Sequence, residues 1–137
     1  MIISAIAAVA ENRVIGNKGQ LPWNLPDDMK FFQRTTLNHH VISGRKNYDS
    51  IPERFRPLRD RVNIVVTRGT DYEAPGAVIC HSLEDALDIA RKAGVKEVFL
   101  IGGGQLYSEA FESNLVDRLY LTTVHAKPEG DVLFPKI

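Results

Sequence analysis

Apolar positions along this chain fall into short runs, and the segments between them carry a helical period. Residues 2–9 are almost continuously apolar, which predicts a central strand covered on both faces. Residues 10–24 are rich in Asn, Gly, Lys and Pro and predict a long loop, a kind of connection that often carries function. A helix is predicted over 26–36, with Pro26 tolerated in its first turn. Residues 40–43 read as a short strand, 44–51 as a helix, and 52–61 as an irregular connection holding Arg54, Arg56, Arg59 and Arg61. Residues 62–67 are a clear strand and 77–80 a weaker one. Ser82 opens a helix, with Asp85 at the position of a capping box, and Gly94 stops it. The strand over 98–101 runs straight into Gly102, Gly103 and Gly104, and a helix follows from about Gln105. Residues 118–125 form the last clear strand. Strands alternating with helices imply an α/β domain with a largely parallel sheet.

Composition narrows the function classes. A length of 137 residues fits one domain, and 44% hydrophobic with 25% charged residues is the mix of a folded soluble protein. Lys+Arg and Asp+Glu both number 17, which argues against a broad nucleic-acid surface but leaves room for a local basic pocket. Cys80 is the only cysteine, so no intrachain disulfide forms; it reads as a small apolar residue at a strand end. The apolar N-terminus has no basic segment and is too short to span a bilayer, so it reads as a buried strand of a cytoplasmic protein. His39, His40, His81 and His125 lack metal-ligand spacing, and no metal is expected. Ser4, Ser43 and Ser50 sit in no nucleophile-elbow context.

Three features bear chemistry. The first is the strand–glycine–helix junction at 98–107, where backbone N–H groups and a helix N-terminus can meet a phosphate. Its spacing differs from the dinucleotide G-x-G-x-x-G, and alone it equally fits a tight turn. The second is Gly44-Arg45-Lys46-Asn47 together with Thr67-Arg68, basic clusters after strands where such sheets bind ligands. Solvated surface charge is the competing explanation. The third is Asp28. In the predicted helix, Leu25, Met29, Phe32 and Thr36 share a face, and Asp28 falls between Leu25 and Phe32 while Asp27 lies opposite. Asp28 is either a first-turn acid favoured by the helix dipole or a pocket carboxylate with a cationic ligand group as partner. Trp23 reads as a core anchor or as a lid on that pocket, and Tyr107 as a packing residue one turn beyond the glycines.

The chain resembles the dihydrofolate reductase family. The residues that carry the resemblance are Val14-Ile15-Gly16, Leu21-Pro22-Trp23-Asn24-Leu25-Pro26 with Asp28, Gly44-Arg45, Ser50-Ile51-Pro52, Arg56-Pro57-Leu58, Arg61, and Ile101-Gly102-Gly103-Gly104 with Leu106-Tyr107. The resemblance implies a three-layer fold with helices on both sheet faces. It implies reduction of 7,8-dihydrofolate to 5,6,7,8-tetrahydrofolate, with hydride passing from NADPH to pterin C6 and a proton to N5. Asp28 would be the ionisable group of the pterin pocket and would assist protonation, with Leu21, Trp23 and Tyr107 nearby. Ile6, Ala7, Met29, Phe32, Ser50, Ile51, Leu58, Ile101, Tyr107 and Thr122 would surround the folate, and Arg61 would grip its α-carboxylate. Residues 16–21 would be the mobile lid over nicotinamide, supported by Asp131. Ala8, Ile15, Gly16, Asn17, Leu21, Gly44, Arg45, Lys46, Asn47, Ile101, Gly103, Gly104, Gln105, Leu106 and Tyr107 would line the cofactor site. Arg45, Thr67 and Arg68 would hold its 2′-phosphate, and His81 would also contact the cofactor. The Gly102–Gly103 peptide would be cis, and Arg56–Pro57 is read as a second cis bond. Antifolate inhibitors would be ligands; no nucleic acid or membrane partner is expected.

Three departures stand out. Ser43 replaces a larger apolar residue and is expected to loosen packing under the cofactor. Arg59-Asp60 replaces the usual turn before Arg61. The family continues into two more strands, so the domain is expected to be C-terminally incomplete; with those strands it is expected to be a monomer, and if 137 residues are the full chain the exposed strand edge would pair with a second copy. Two other functions remain open at this stage: a pyrimidine reductase of riboflavin synthesis, and a non-catalytic nucleotide-binding fragment.

Overall fold

The structure, a computed structural model, describes residues 1–10, 12–16, 26–124 and 132–135, and all their side chains except those at 10, 14–16, 26–28, 123, 124 and 132. The strands in chain order are β1 (Ile2–Ala10), β2 (Val14–Gly16), β3 (His40–Gly44), β4 (Val62–Val66), β5 (Val78–Cys80), β6 (Glu97–Gly102), β7 (Arg118–Val124) and β8 (Val132–Leu133). The helices are α1 (Pro26–Thr36), α2 (Arg45–Ser50), α3 (Leu83–Lys92) and α4 (Gly104–Glu112). Six strands form one sheet in the order β5–β4–β3–β6–β1–β7, with every neighbouring pair parallel.

Alternation along the buried strands sends side chains to two cores. Ile3, Ala5, Ile42, Ile64, Val98 and Leu100 pack against α3 and α4 through Leu83, Leu87, Ala90, Leu106 and Ala110. On the opposite face Ile6, Val41 and Phe99 meet Phe31 and Phe32 of α1, with Leu58, Ile101 and Tyr120 at the margin. Helices thus cover both faces, which explains why residues 2–9 and 98–101 read as near-continuous apolar runs. The Ser82 side chain accepts from the Asp85 backbone N–H at 3.0 Å and closes the start of α3.

Two elements fall where irregular chain is predicted. β2 lies inside the 10–24 segment and pairs antiparallel with β8, and a 3-10 turn, Glu53–Phe55, interrupts the basic connection. Each has at most three residues, too few for a period to show. No helix among the described residues is long and apolar enough to cross a membrane.

Candidate active site

In an all-parallel sheet the carboxyl ends of the strands share one edge, and a ligand crevice opens where consecutive connections leave in opposite directions. Here that point lies between β3 and β6. The β3 connection, α2, leads outward to β4, while the β6 connection, α4, leads across β1 to β7. Gly44 and Gly102 end the two strands side by side: a Cβ on Gly44 would lie 3.8 Å from both the Gly102 carbonyl oxygen and the Gly103 nitrogen.

Three helices start at this edge, and their caps differ. The start of α3 is closed by the Ser82 hydroxyl, whereas α2 and α4 begin at Gly44 and Gly103 with no side-chain cap. The N–H groups there are left for a ligand, and an anion suits them by charge. The Gly102–Gly103 and Arg56–Pro57 peptides are both cis.

Asn47 braces the glycine turn from α2. Its Nδ2 donates to Ser43 Oγ at 3.1 Å and to the Ile101 carbonyl at 3.3 Å. Ser43 is buried, and its hydroxyl donates to the Gly44 carbonyl at 3.0 Å. The expected loosening at Ser43 is therefore replaced by a hydrogen-bonded link between β3 and the turn. Gly102 has φ +118°, and a Cβ on it would sit 3.4 Å from Asn47 Cγ and Nδ2 and from Tyr107 Cε2. Gly102→Ala should destabilise the fold by about 1–3 kcal/mol through backbone strain. A urea midpoint equal to the parent's would show that the turn tolerates a side chain.

Tyr107 is buried, and its hydroxyl donates to the Ile6 carbonyl at 2.6 Å. Burial pushes its pKa well above the usual phenol value. The hydroxyl thus ties α4 to the carbonyl of Ile6 in β1.

The structure gathers Ile6, Phe32, Leu58 and Ile101 into one apolar cluster beside Phe99. Thr122 lies opposite Ala8 in the β1–β7 register, with Ala7 one residue before. Met29 is exposed, and Ile51 packs with a separate cluster around Tyr48 and Val65. Ser50 is exposed and donates to the Asn47 carbonyl at 2.6 Å. Leu106 faces the core, so only its backbone is offered to a ligand; Lys46 and Gln105 are exposed. Asp28 lies in the first turn of α1, but its side chain is outside the described residues, as are Asn17, Leu21, Trp23, His125 and Asp131. Ile15 and Gly16 are described only as part of β2.

Arg61 is held by two hydrogen bonds and a stapled turn. Its NH1 donates to Thr36 Oγ1 at 3.1 Å, and its Nε to the Arg59 carbonyl at 2.9 Å. The Arg59-Asp60 turn closes with Asp60 at φ +58°, a conformation Asp tolerates. Buried Asn63 staples this turn: its Oδ1 accepts from the Leu58 N–H, and its Nδ2 donates to the Leu58 and Arg61 carbonyls. Partial burial lowers the Arg61 pKa from its ordinary value. The legible signal was a lone amide inside the apolar strand run Val62-Asn63-Ile64-Val65-Val66.

A second cationic corner forms beyond β4. Thr67 is buried, its hydroxyl accepts from the Gly69 N–H at 3.1 Å, and the His81 ring Nδ1 lies 2.9 Å from the Thr67 carbonyl. The Arg45 guanidinium closes over this turn, with NH1 3.2 Å from where a Gly69 Cβ would lie. Arg68 is exposed beside it.

A doubly covered parallel sheet with two uncapped, glycine-lined helix starts and a basic corner defines a nucleotide-binding α/β enzyme domain. The comparisons place it further. A dihydrofolate reductase family model matches residues 2–137, and the chain belongs to that family. It is 46% identical over 135 residues to the dihydrofolate reductase of Bacillus subtilis (strain 168), covering 98% of this chain and 76% of the relative. It is 44% identical over 135 residues to dihydrofolate reductase type 3 of Salmonella typhimurium, covering 98% and 79%. The structure of Enterococcus faecalis dihydrofolate reductase complexed with NADP(H) and RAB-propyl superposes with a TM-score of 0.87 at 39% identity, covering 99% of this chain and 78% of that one. Membership carries the activity, NADPH-dependent reduction of dihydrofolate to tetrahydrofolate, and sets aside the riboflavin-pathway and non-catalytic readings.

Proposed function

We propose that the crevice between β3 and β6 holds NADPH and that the apolar cluster around Ile6, Phe32, Leu58 and Ile101 receives the pterin of dihydrofolate. The observation that carries this reading is the pair of glycine starts, Gly44 and Gly103, free of side-chain caps at the switch point of the sheet. The residues fit the cofactor: the backbone approaches closely at Gly44, Gly102 and Gly103, and Arg45 supplies a cation beside Thr67. When bound, NADPH supplies the hydride that reduces the pterin.

The remaining work falls to the chain. Backbone N–H groups at Gly103 to Leu106 and Gly44 to Asn47 orient the pyrophosphate. Arg45, Thr67, Arg68 and His81 select the 2′-phosphate, and Arg61 takes the α-carboxylate of the glutamate tail by a bidentate pair. Asp28 holds the 2-amino and N3 side of the pterin and assists protonation at N5. Tyr107 fixes the inner wall through Ile6. In a cell the protein acts in the cytoplasm, in one-carbon metabolism, and antifolates compete for the pterin pocket.

The direct test is oxidation of NADPH with dihydrofolate as acceptor; NADPH consumption independent of dihydrofolate would sink the reading. Arg45→Ala should weaken NADPH binding by about 1.5 kcal/mol, the low end for a charged hydrogen bond because the side chain is half exposed. That is about tenfold in affinity, with NADH unaffected. An unchanged NADPH preference would place the 2′-phosphate elsewhere.

A further inference from the structure

Arg45 sits on α2 with its guanidinium reaching over an exposed turn, where a long side chain ordinarily samples several rotamers. Here it is held from two directions. The guanidinium carbon lies 4.6 Å above the centroid of the Tyr72 ring. Its Nε lies 3.7 Å from Asp49 Oδ2, one helical turn away. The two supports are themselves joined, because the Tyr72 hydroxyl donates to Asp49 Oδ1 at 2.6 Å. Arg56 NH1 approaches the same oxygen at 3.6 Å, so Asp49 is pinned between two cations and a phenol. Burial and the bond to Asp49 push the Tyr72 pKa up to about 12, so the ring stays neutral and its hydroxyl stays a donor. Tyr72 lies between β4 and β5, outside every motif that carries the family resemblance.

We infer that Tyr72 is a specificity-determining positioning residue: it is the platform that, clamped by Asp49, sets the Arg45 fork toward the Thr67–Gly69 turn for the cofactor's 2′-phosphate. The inference rests on the phosphate reading of Arg45 given above. The geometry supports the direction of aim. With Nε turned to Asp49 and the guanidinium carbon over the ring, the terminal NH1 is the atom presented at the turn, as its approach to Gly69 records. An arginine held in one rotamer loses less entropy on meeting an anion. Such a contribution acts on the phosphate alone, so it separates NADPH from NADH and leaves the rest of the nucleotide untouched.

The test is titration of the intact protein with NADPH and with NADH, in variants at 45 and 72. Tyr72→Leu should weaken NADPH by about two- to fivefold, the size of one exposed cation–π contact, and leave NADH unchanged. Tyr72→Phe keeps the ring and should lose less than about twofold. In an Arg45→Ala background, Tyr72→Leu should have no further effect on the NADPH to NADH ratio, because the two act as a unit. If Tyr72→Leu does not fold, Tyr72→Gln takes its place. An unchanged ratio in Tyr72→Leu overturns the inference. So does an equal loss for both nucleotides, which marks Tyr72 as a prop of the loop. If Arg45→Ala itself leaves the ratio unchanged, the phosphate reading fails first and the inference falls with it.

Discussion

Asp28→Asn is expected to lower the hydride-transfer rate at pH 7 by about 10²–10⁴-fold, the range assigned to a positioned acid–base group. The placement is an expectation from the helical phase of residues 25–36 in the sequence. Phe31 and Phe32 pack against the Ile6–Val41–Phe99 cluster, and position 28 lies three and four residues before them. Residues at that spacing share a helix face. In the proposed reading this carboxyl group assists transfer of a proton to pterin N5. Asparagine keeps the shape and a hydrogen bond but has no proton to relay. The loss should shrink as pH falls, because in acid the substrate can arrive already protonated at N5. The measurement is single-turnover NADPH oxidation across pH, beside the KM for dihydrofolate. Parent-like rates at pH 7 would remove Asp28 from the chemistry. A raised KM with an unchanged rate would leave it a binding group only.

Much of this fold is legible in the sequence because its strands are buried on both faces. Residues 2–9, 62–66 and 98–101 are apolar but for Ser4 and Asn63, and each lies in a strand of the central sheet. Helix bounds followed from local chemistry: Pro26 opens α1, Ser82 caps α3, and Gly94 takes φ +73° beyond its end. What escaped is cooperative across distance. β2 and β8 exist only by pairing with each other over more than a hundred residues. The site divides the same way. Gly44, Arg45 and Gly103 stand out because each breaks a pattern at a strand end. The residues that aim them do not, since Asn47, Asp49 and Tyr72 act through hydrogen bonds to parts of the chain far away in sequence. Ser43 is the sharpest case. As a residue type it looked like lost packing, and only its bonds to Asn47 and Gly44 reveal a link.

Asn63→Leu is the second change with a large expected effect, and it joins stability to substrate binding. Leucine shares the branched heavy-atom skeleton of asparagine and suits a strand whose neighbours Ile64 and Val65 are fully buried. Packing alone therefore predicts little change or a small gain. Hydrogen bonding predicts the reverse. The Asn63 amide satisfies the Leu58 N–H at 2.9 Å and the carbonyls of Leu58 and Arg61 at 2.9 and 3.0 Å. Buried polar groups left without partners cost roughly 1–3 kcal/mol each. The turn can recover part of this by opening to water, which puts the net loss on the order of 3 kcal/mol. Opening carries a second consequence. The Arg59 carbonyl that accepts from Arg61 Nε, and the contact of Arg61 with Thr36, both depend on the closed turn. Arg61 then loses its fixed aim, and the KM for dihydrofolate should rise while the Kd for NADPH stays unchanged. Urea unfolding and steady-state kinetics at a temperature where both proteins are folded decide the matter. A stability loss under about 1 kcal/mol would show that the turn holds without its staple. A large stability loss with an unchanged dihydrofolate KM would show that Arg61 is not the group that binds the substrate's tail.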